Sequence, residues 1–343
     1  MAGGTDMTAL EQRVADYLAV RRGLGFKLIT EQRQLASFAA FLDEASASTV
    51  TIELALRWAT IPTGVGHAYL AHRMRTVRGF ARYLRAIDPQ TEVPPLQLLP
   101  ARKHRPTPHI YSQAEIAALM TAAGMLRPPL RAATMQTLIG LLACTGLRDG
   151  EAFALDRTDI DRADGLLRIR DAKFGKSREV LIHPTTLTAL AAYLARRDEL
   201  RSGGDRVCVF VSSWGARLSH KSVHLSFDQI RRAASLTGSS PGRQPRLHDL
   251  RHTFSVNTLL GWYHAGDDVA AKLPLLSTYL GHVDPAATYW YLSAVPQLLG
   301  LAADRLEQHD NSDASPDREV ALLLREQERV RYWRATRARR AER

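Results

Sequence analysis

The chain has 343 residues and carries 46 Lys and Arg against 35 Asp and Glu, a formal charge of +11. At roughly 100–200 residues per domain this length predicts two domains, and 45% hydrophobic residues with 24% charged ones exclude a globally disordered chain. The two cysteines, Cys144 and Cys208, exclude a disulfide framework or a four-cysteine zinc site, and no apolar run approaches the roughly 18 residues of a membrane span.

In chain order, the start MAGGTDMTALEQR lacks the apolar core of a secretory leader, so a soluble cytoplasmic, nucleoid-associated protein with no membrane partner is expected. Leu10, Val14, Tyr17 and Leu18, then Leu35, Phe38, Ala39 and Leu42 after a start at Thr30, recur at helical spacing. Segment 67–86 has an apolar stripe of Leu70, Met74, Val77, Ala81 and Leu84. Arg75, Arg78, Arg82 and Arg85 follow one another at 3, 4 and 3 residues, which puts the four guanidinium groups on one other face. Such a face is either simply solvated or a contact for phosphates.

A domain break is expected next. Residues 89–108 are rich in proline and hold Arg102, Lys103, His104 and Arg105, which predicts a basic linker over 101–110 between a domain at 1–100 and one at 111–300. Ser112 with Glu115 reads as a capping box. An apolar helix over 130–143 stops at Thr145-Gly146, and a short helix restarts near Asp149. Residues 166–170 and 178–182 alternate as the two strands of a hairpin, and Val207–Val211 reads as a third strand after a helix at 184–198. Further helices are predicted at 219–236, 248–261, 274–280 and 285–293. The tail, 301–343, ends in a stretch with seven arginines between 329 and 343, and reads equally as a partner helix, a DNA contact or a frayed end. The predicted class is mainly α with a small antiparallel sheet.

The basic excess is almost all arginine, because six lysines leave forty arginines. Arginine suits bidentate recognition of phosphate, although a GC-rich genome yields the same bias. Four segments hold residue types that can act on a phosphodiester. In TGLRDGEAFAL, 145–155, Glu151 stands three residues after Arg148 and can orient its guanidinium. In AKFGKSREV, 172–180, Lys173 and Lys176 flank the hairpin turn and can deliver a proton. In RLHDLRHTF, 246–254, His248 and Arg251 share a face. His248 and His252 resemble half a zinc site, but no HExxH glutamate accompanies them, so no metal is expected. In YLGHVDPAATYWYL, 279–292, Gly281 caps one helix, Asp284-Pro285 starts another, and Tyr289 and Tyr291 point to different faces.

Together, and in this order, LRxxE, the hairpin lysine, HxLRH, and LGH followed nine residues later by a tyrosine resemble the signature of the tyrosine recombinase (lambda integrase-like) family. The phrase PAATYWYLSAVPQLL is similar to transposon-borne integrases. The resemblance implies a tyrosine recombinase catalytic domain behind a helical, SAM-like core-binding domain. It implies Tyr291 as nucleophile, Arg148 and Arg251 on the phosphate oxygens, His248 and His282 beside them, Lys173 as general acid and Glu151 supporting Arg148. Arg75, Arg78, Arg82, Arg85, Arg102, Lys103, Arg105 and Lys176 would then contact DNA.

The implied activity is site-specific cleavage and rejoining of double-stranded DNA through a 3′-phosphotyrosine bond, without cofactor, metal or ATP, by a homo- or hetero-tetramer on DNA, with or without partner recombinases. A type IB topoisomerase-like relaxing activity and a catalytically silent accessory protein are the alternatives. One departure is expected: the stretch between Arg251 and His282 is long, and Gly261–Asp268 reads as an inserted loop.

Overall fold

The computed structural model describes residues 8–99, 107–170, 177–201, 207–238, 244–282, 284, 286–294, 298–301 and 303. It divides into two compact units whose boundary in the chain falls between Pro106 and Thr107. Among the described residues no helix is long and apolar enough to cross a membrane.

The first unit has four helices: α1 (Ala9–Gly23), α2 (Ile29–Glu44), α3 (Ile52–Thr60) and α4 (His67–Leu84). Thr8 and Glu11 form a reciprocal capping box at α1, and Thr51 caps α3 through its hydroxyl. α2 begins at Ile29, one residue before the expected Thr30, after Leu28 in the left-handed region at φ 47°. The helices meet in one core that includes Leu18, Leu35, Phe38, Leu42, Trp58, Met74, Val77 and Phe80. Arg73 is buried, lies 3.5 Å over the Trp58 ring and donates to Trp58 O at 2.7 Å.

The expected arginine face on α4 is incomplete. Arg75, Arg82 and Arg85 are exposed, but Arg78 is buried. Its Nε donates to Pro94 O and its Nη2 to Pro95 O, both at 2.7 Å. Proline carbonyls in a segment without regular structure need donors when they are covered, and Arg78 supplies them. It therefore ties residues 94–95 to α4 and does not share the exposed face of Arg75, Arg82 and Arg85.

The second unit opens with α5 (Gln113–Gly124), whose Ser112–Glu115 capping box forms as expected. α6 (Pro129–Thr145) is apolar on most sides and packs against α5, α8 and α10. α7 (Asp149–Ala154) leads to a three-stranded antiparallel sheet in the order β1 (Ile160–Asp161), β2 (Leu166–Ile169), β3 (Arg178–Leu181). Leu167 pairs with Val180, and both side chains are fully buried. α8 (Pro184–Glu199), α9 (His220–Ala233), α10 (Asp249–His264), α11 (Val269–Leu280) and α12 (Ala286–Ala294) complete the unit.

Three elements differ from expectation. Val207–Val211 makes only isolated bridges, Asp156 with Cys208 and Val211 with Arg217. Its backbone groups are taken elsewhere: Arg197 donates to Cys208 O and Val209 O, and Val209 N donates to Leu155 O. The third strand is β1, two residues long and too short to leave a periodic signal. The expected loop at Gly261–Asp268 is shorter than expected, because α10 continues to His264 and only its second half is irregular. α11 starts at Val269, capped by Asp268, and contains Pro274, which on sequence marks a helix start at 274.

Candidate active site

Two helices of the second unit end in left-handed glycines, α6 at Gly146 (φ 61°) and α11 at Gly281 (φ 67°). Helix C-termini leave carbonyls without intrahelical partners and carry partial negative charge. At the end of α11 three successive carbonyls each accept from a different arginine. Tyr279 O takes Nε of Arg178 at 2.8 Å, Leu280 O takes Nη2 of Arg251 at 2.7 Å, and Gly281 O takes Nη2 of Arg148 at 2.8 Å. Arg251 also donates to Gly146 O at 2.7 Å and so joins both glycine-capped ends. A Cβ at position 281 would lie 2.8 Å from Nη1 of Arg178, so the cap must be glycine for space as well as for φ.

Arg251 is 3% exposed, and burial followed by the charge of Arg148 lowers its pKa to about 10. Glu151 answers this concentration of charge. Its Oε1 accepts from Arg148 at 2.6 Å and from Arg178 at 3.0 Å, and its Oε2 accepts from Arg178 at 2.8 Å and from the Arg148 backbone N–H at 3.0 Å. Burial pushes this carboxyl up, but hydrogen bonds and charge from Arg178, then from Arg148, outweigh burial and hold it at about 2. Glu151 thus supports Arg148 as expected and Arg178 as well. Sequence spacing does not single out Arg178: it is the first residue of a strand, and nothing near it in the chain separates it from the other arginines.

Tyr291 and Tyr289 separate as their spacing predicts. Tyr289 is 50% exposed, whereas Tyr291 is 1% exposed, with its hydroxyl 3.0 Å from Nδ1 of His252. The His282 ring lies parallel to that of Tyr291 with centroids 6.5 Å apart, and its Nδ1 is 2.7 Å from the Thr288 hydroxyl. His252 packs edge-on against Trp290 and against His248, with centroids at 5.8 and 5.1 Å. Burial pushes the His248 pKa down, opposed by the charge of Asp149. The His248 and His252 rings stand at 87°, and Nδ1 of His252 is engaged by the Tyr291 hydroxyl. His252, which sequence spacing presents only as half a zinc site with His248, is a second residue whose place beside the tyrosine the sequence does not show.

The second unit therefore brings together Arg148, Glu151, His248, Arg251, His282 and Tyr291 from α10, α12 and the ends of α6, α7 and α11. Lys173, Lys176, Arg102, Lys103 and Arg105 lie outside the described residues. Arg75, Arg82 and Arg85 are exposed on the first unit.

Comparison with known proteins accords with this geometry. Residues 111–297 match the phage integrase family. The chain is 43% identical over 308 residues to a putative integrase/recombinase, y4rB, of Sinorhizobium fredii, covering 88% of this chain and 98% of the relative. It is 29% identical to the tyrosine recombinase XerD of Bradyrhizobium diazoefficiens, over 83% of this chain and 91% of that one. Among solved structures, XerH site-specific recombinase in a post-cleavage complex with its difH substrate superimposes with a TM-score of 0.60 at 20% identity, over 88% of this chain and 86% of that one. The Tn1549 transposon integrase in complex with transposon right-end DNA gives 0.60 at 14% identity, over 86% and 98%. At these identities the two structures establish a common fold.

Proposed function

The chain belongs to the phage integrase family, as a tyrosine-type enzyme of site-specific DNA recombination, and on that premise we propose that Tyr291 cleaves and rejoins double-stranded DNA through a 3′-phosphotyrosine bond. The observation that carries this reading is the gathering of Arg148 and Arg251 on adjacent carbonyls at the end of α11, beside a buried Tyr291 whose hydroxyl has a histidine partner.

In-line attack on a phosphodiester builds negative charge on the equatorial oxygens. Each of the two guanidiniums has five N–H donors and spends one on a helix-end carbonyl from each of the nitrogens so engaged, which leaves donors for those oxygens. Because the carbonyls and Glu151 hold the arginines beforehand, little reorganisation is needed when charge develops. This preorganised charge is the reason to expect no need of a metal, and a phosphotyrosine bond that keeps the energy of the broken phosphodiester is the reason to expect no need of ATP.

A tyrosine hydroxyl ordinarily ionises near pH 10 and needs a proton acceptor to attack at neutral pH. A His252 tautomer with its proton on Nε2 presents Nδ1 as that acceptor. As the Tyr291 oxygen bonds to phosphorus and the bond to the 5′ oxygen breaks, the tyrosine proton passes to imidazole. The departing 5′ oxygen takes a proton from Lys173. His248 and His282 hydrogen-bond the phosphate. Attack by the 5′ hydroxyl of another strand reverses the step and completes exchange.

The helical first unit serves as the core-binding domain and residues 111–300 as the catalytic domain, with Arg75, Arg82, Arg85, Arg102, Lys103, Arg105 and Lys176 on DNA phosphates. Four protomers, of one kind or with partner recombinases, act on paired sites. The test is a nicked suicide substrate carrying the attachment site, followed by a denaturing gel. A covalent adduct lost in Tyr291→Phe and kept in Tyr289→Phe is expected; loss only in the Tyr289 variant overturns the assignment.

A further inference from the structure

We propose that Asp149, His220 and His224 form a binding site for a borderline divalent cation such as Zn²⁺, on the second unit and made of residues other than those proposed to act on DNA. His220 and His224 stand at i and i+4 in the first turns of α9, which puts both imidazoles on one face. Asp149 is the first residue of α7. Its Oδ1 takes the backbone N–H of Gly150 at 2.9 Å, while Oδ2 lies 3.7 Å from Nδ1 of His220 and 3.5 Å from Nε2 of His224. The three donor atoms all fall within 4.8 Å of one another. Ligands bound tetrahedrally at about 2.0–2.1 Å from zinc stand about 3.4 Å apart, so both aspartate–histidine edges already have nearly that length.

The site is also braced from behind. The His220 ring packs edge-on against Phe153 with centroids 5.0 Å apart. Gly150 lies directly beside that ring, since a Cβ there would touch its Cε1 and Nε2 at 3.4 Å. The two imidazole planes are within 15° of parallel. Ring orientation is the usual task of the residues around metal-bound histidines, and here packing performs it.

The chemistry of the donors selects the class of ion. Two neutral imidazoles and one carboxylate suit Zn²⁺, Co²⁺ or Ni²⁺, whereas Mg²⁺ and Ca²⁺ prefer oxygen. Three protein ligands leave a fourth position for solvent, as befits an exchangeable ion and not a closed structural site. His220 and His224 side chains are 65% and 50% exposed, so the ion has a direct path. Asp149 directly follows Arg148. If the reading of Arg148 as a phosphate ligand holds, a bound cation adds positive charge next to the phosphate.

Binding is read on the full chain without DNA, so its failure is distinguishable from failure of the recombinase reading. The chelator-treated protein is titrated with Co²⁺ by visible absorption, and Zn²⁺ affinity is measured by displacement of the Co²⁺. One equivalent is expected, with affinity at least about tenfold lower in His224→Ala, His220→Ala and Asp149→Asn. His264→Ala, in the last turn of α10, is expected to bind as the parent does. Absence of saturable binding, or equal affinity in the His220→Ala/His224→Ala double variant, overturns the site. Circular dichroism of each variant checks folding, and these exposed histidines can be removed without opening the core.

Discussion

The Tyr291 hydroxyl and Nδ1 of His252 are 3.0 Å apart in a setting where the two residues are 1% and 7% exposed. A phenol buried this deeply needs a partner, because a buried hydroxyl left unpaired costs about 1–3 kcal/mol. His252 reaches it from α10, one residue after Arg251, so the same helix turn that presents a guanidinium also presents the proton acceptor proposed for the tyrosine. Replacing His252 with Phe keeps the ring against Trp290 and removes the acceptor. Single-turnover cleavage of a suicide substrate is expected to fall about 100-fold with DNA affinity unchanged, the range of general acid–base effects. An unaltered rate would reduce His252 to packing.

The carbonyls of Tyr279, Leu280 and Gly281 make the end of α11 the common support of three arginines. Gly281→Ala forces a left-handed residue with a Cβ, a strain of about 1–2 kcal/mol, and drives that Cβ against the Arg178 guanidinium. Both stability and cleavage are expected to fall, cleavage by at least tenfold, because displacement by about 1 Å is enough to cost two orders of magnitude. Urea unfolding and adduct formation measure the two effects; unchanged cleavage with lowered stability would separate the cap from the chemistry.

Glu151 supplies an acid-side signature. Its carboxyl is held at about 2 in the folded chain against an ordinary value of 4.5, so the unfolded chain binds more protons between those values. The contribution of Glu151 to stability is therefore complete above pH 4.5 and is lost as pH falls toward 2. Glu151→Gln is expected to flatten the pH dependence of unfolding in that window. At neutral pH it is expected to cost about 3 kcal/mol, since it leaves two half-buried guanidiniums without their anion. Parallel acid unfolding curves for the variant and parent would contradict this account.

Arg78 and its neighbours on α4 separate a structural from a binding role. Arg78→Ala leaves the carbonyls of Pro94 and Pro95 without their donor and is expected to destabilise the first unit by about 2 kcal/mol. Arg75→Ala with Arg82→Ala removes two exposed charges and is expected to weaken DNA binding and shallow its log–log salt slope by about two. Fluorescence anisotropy across a salt series checks the slope; no change would remove this face of α4 from the DNA contact.

What could be read in the sequence follows from short-range physics. The Ser112–Glu115 capping box, the glycine ends at 146 and 281, the helix restart at Asp149 and the two strands of the hairpin are set by residues within a few positions of one another, so spacing and side-chain type suffice. The order of the motifs likewise announced the family, and the opposed faces of Tyr289 and Tyr291 came from helical spacing alone. Spacing assigns a side chain to a face, but it does not say what lies opposite. That is why Arg78 appeared to belong with Arg75 and Arg82, when a returning segment supplies two carbonyls to it. It is also why the sequence does not pair Arg178 with Glu151 or His252 with Tyr291, partners that stand 27 and 39 residues away. The sequence by itself determined the helix ends and the chemical types present. Only the tertiary structure decided which carbonyl, carboxylate or hydroxyl each cation meets, because long-range packing and burial choose those pairs.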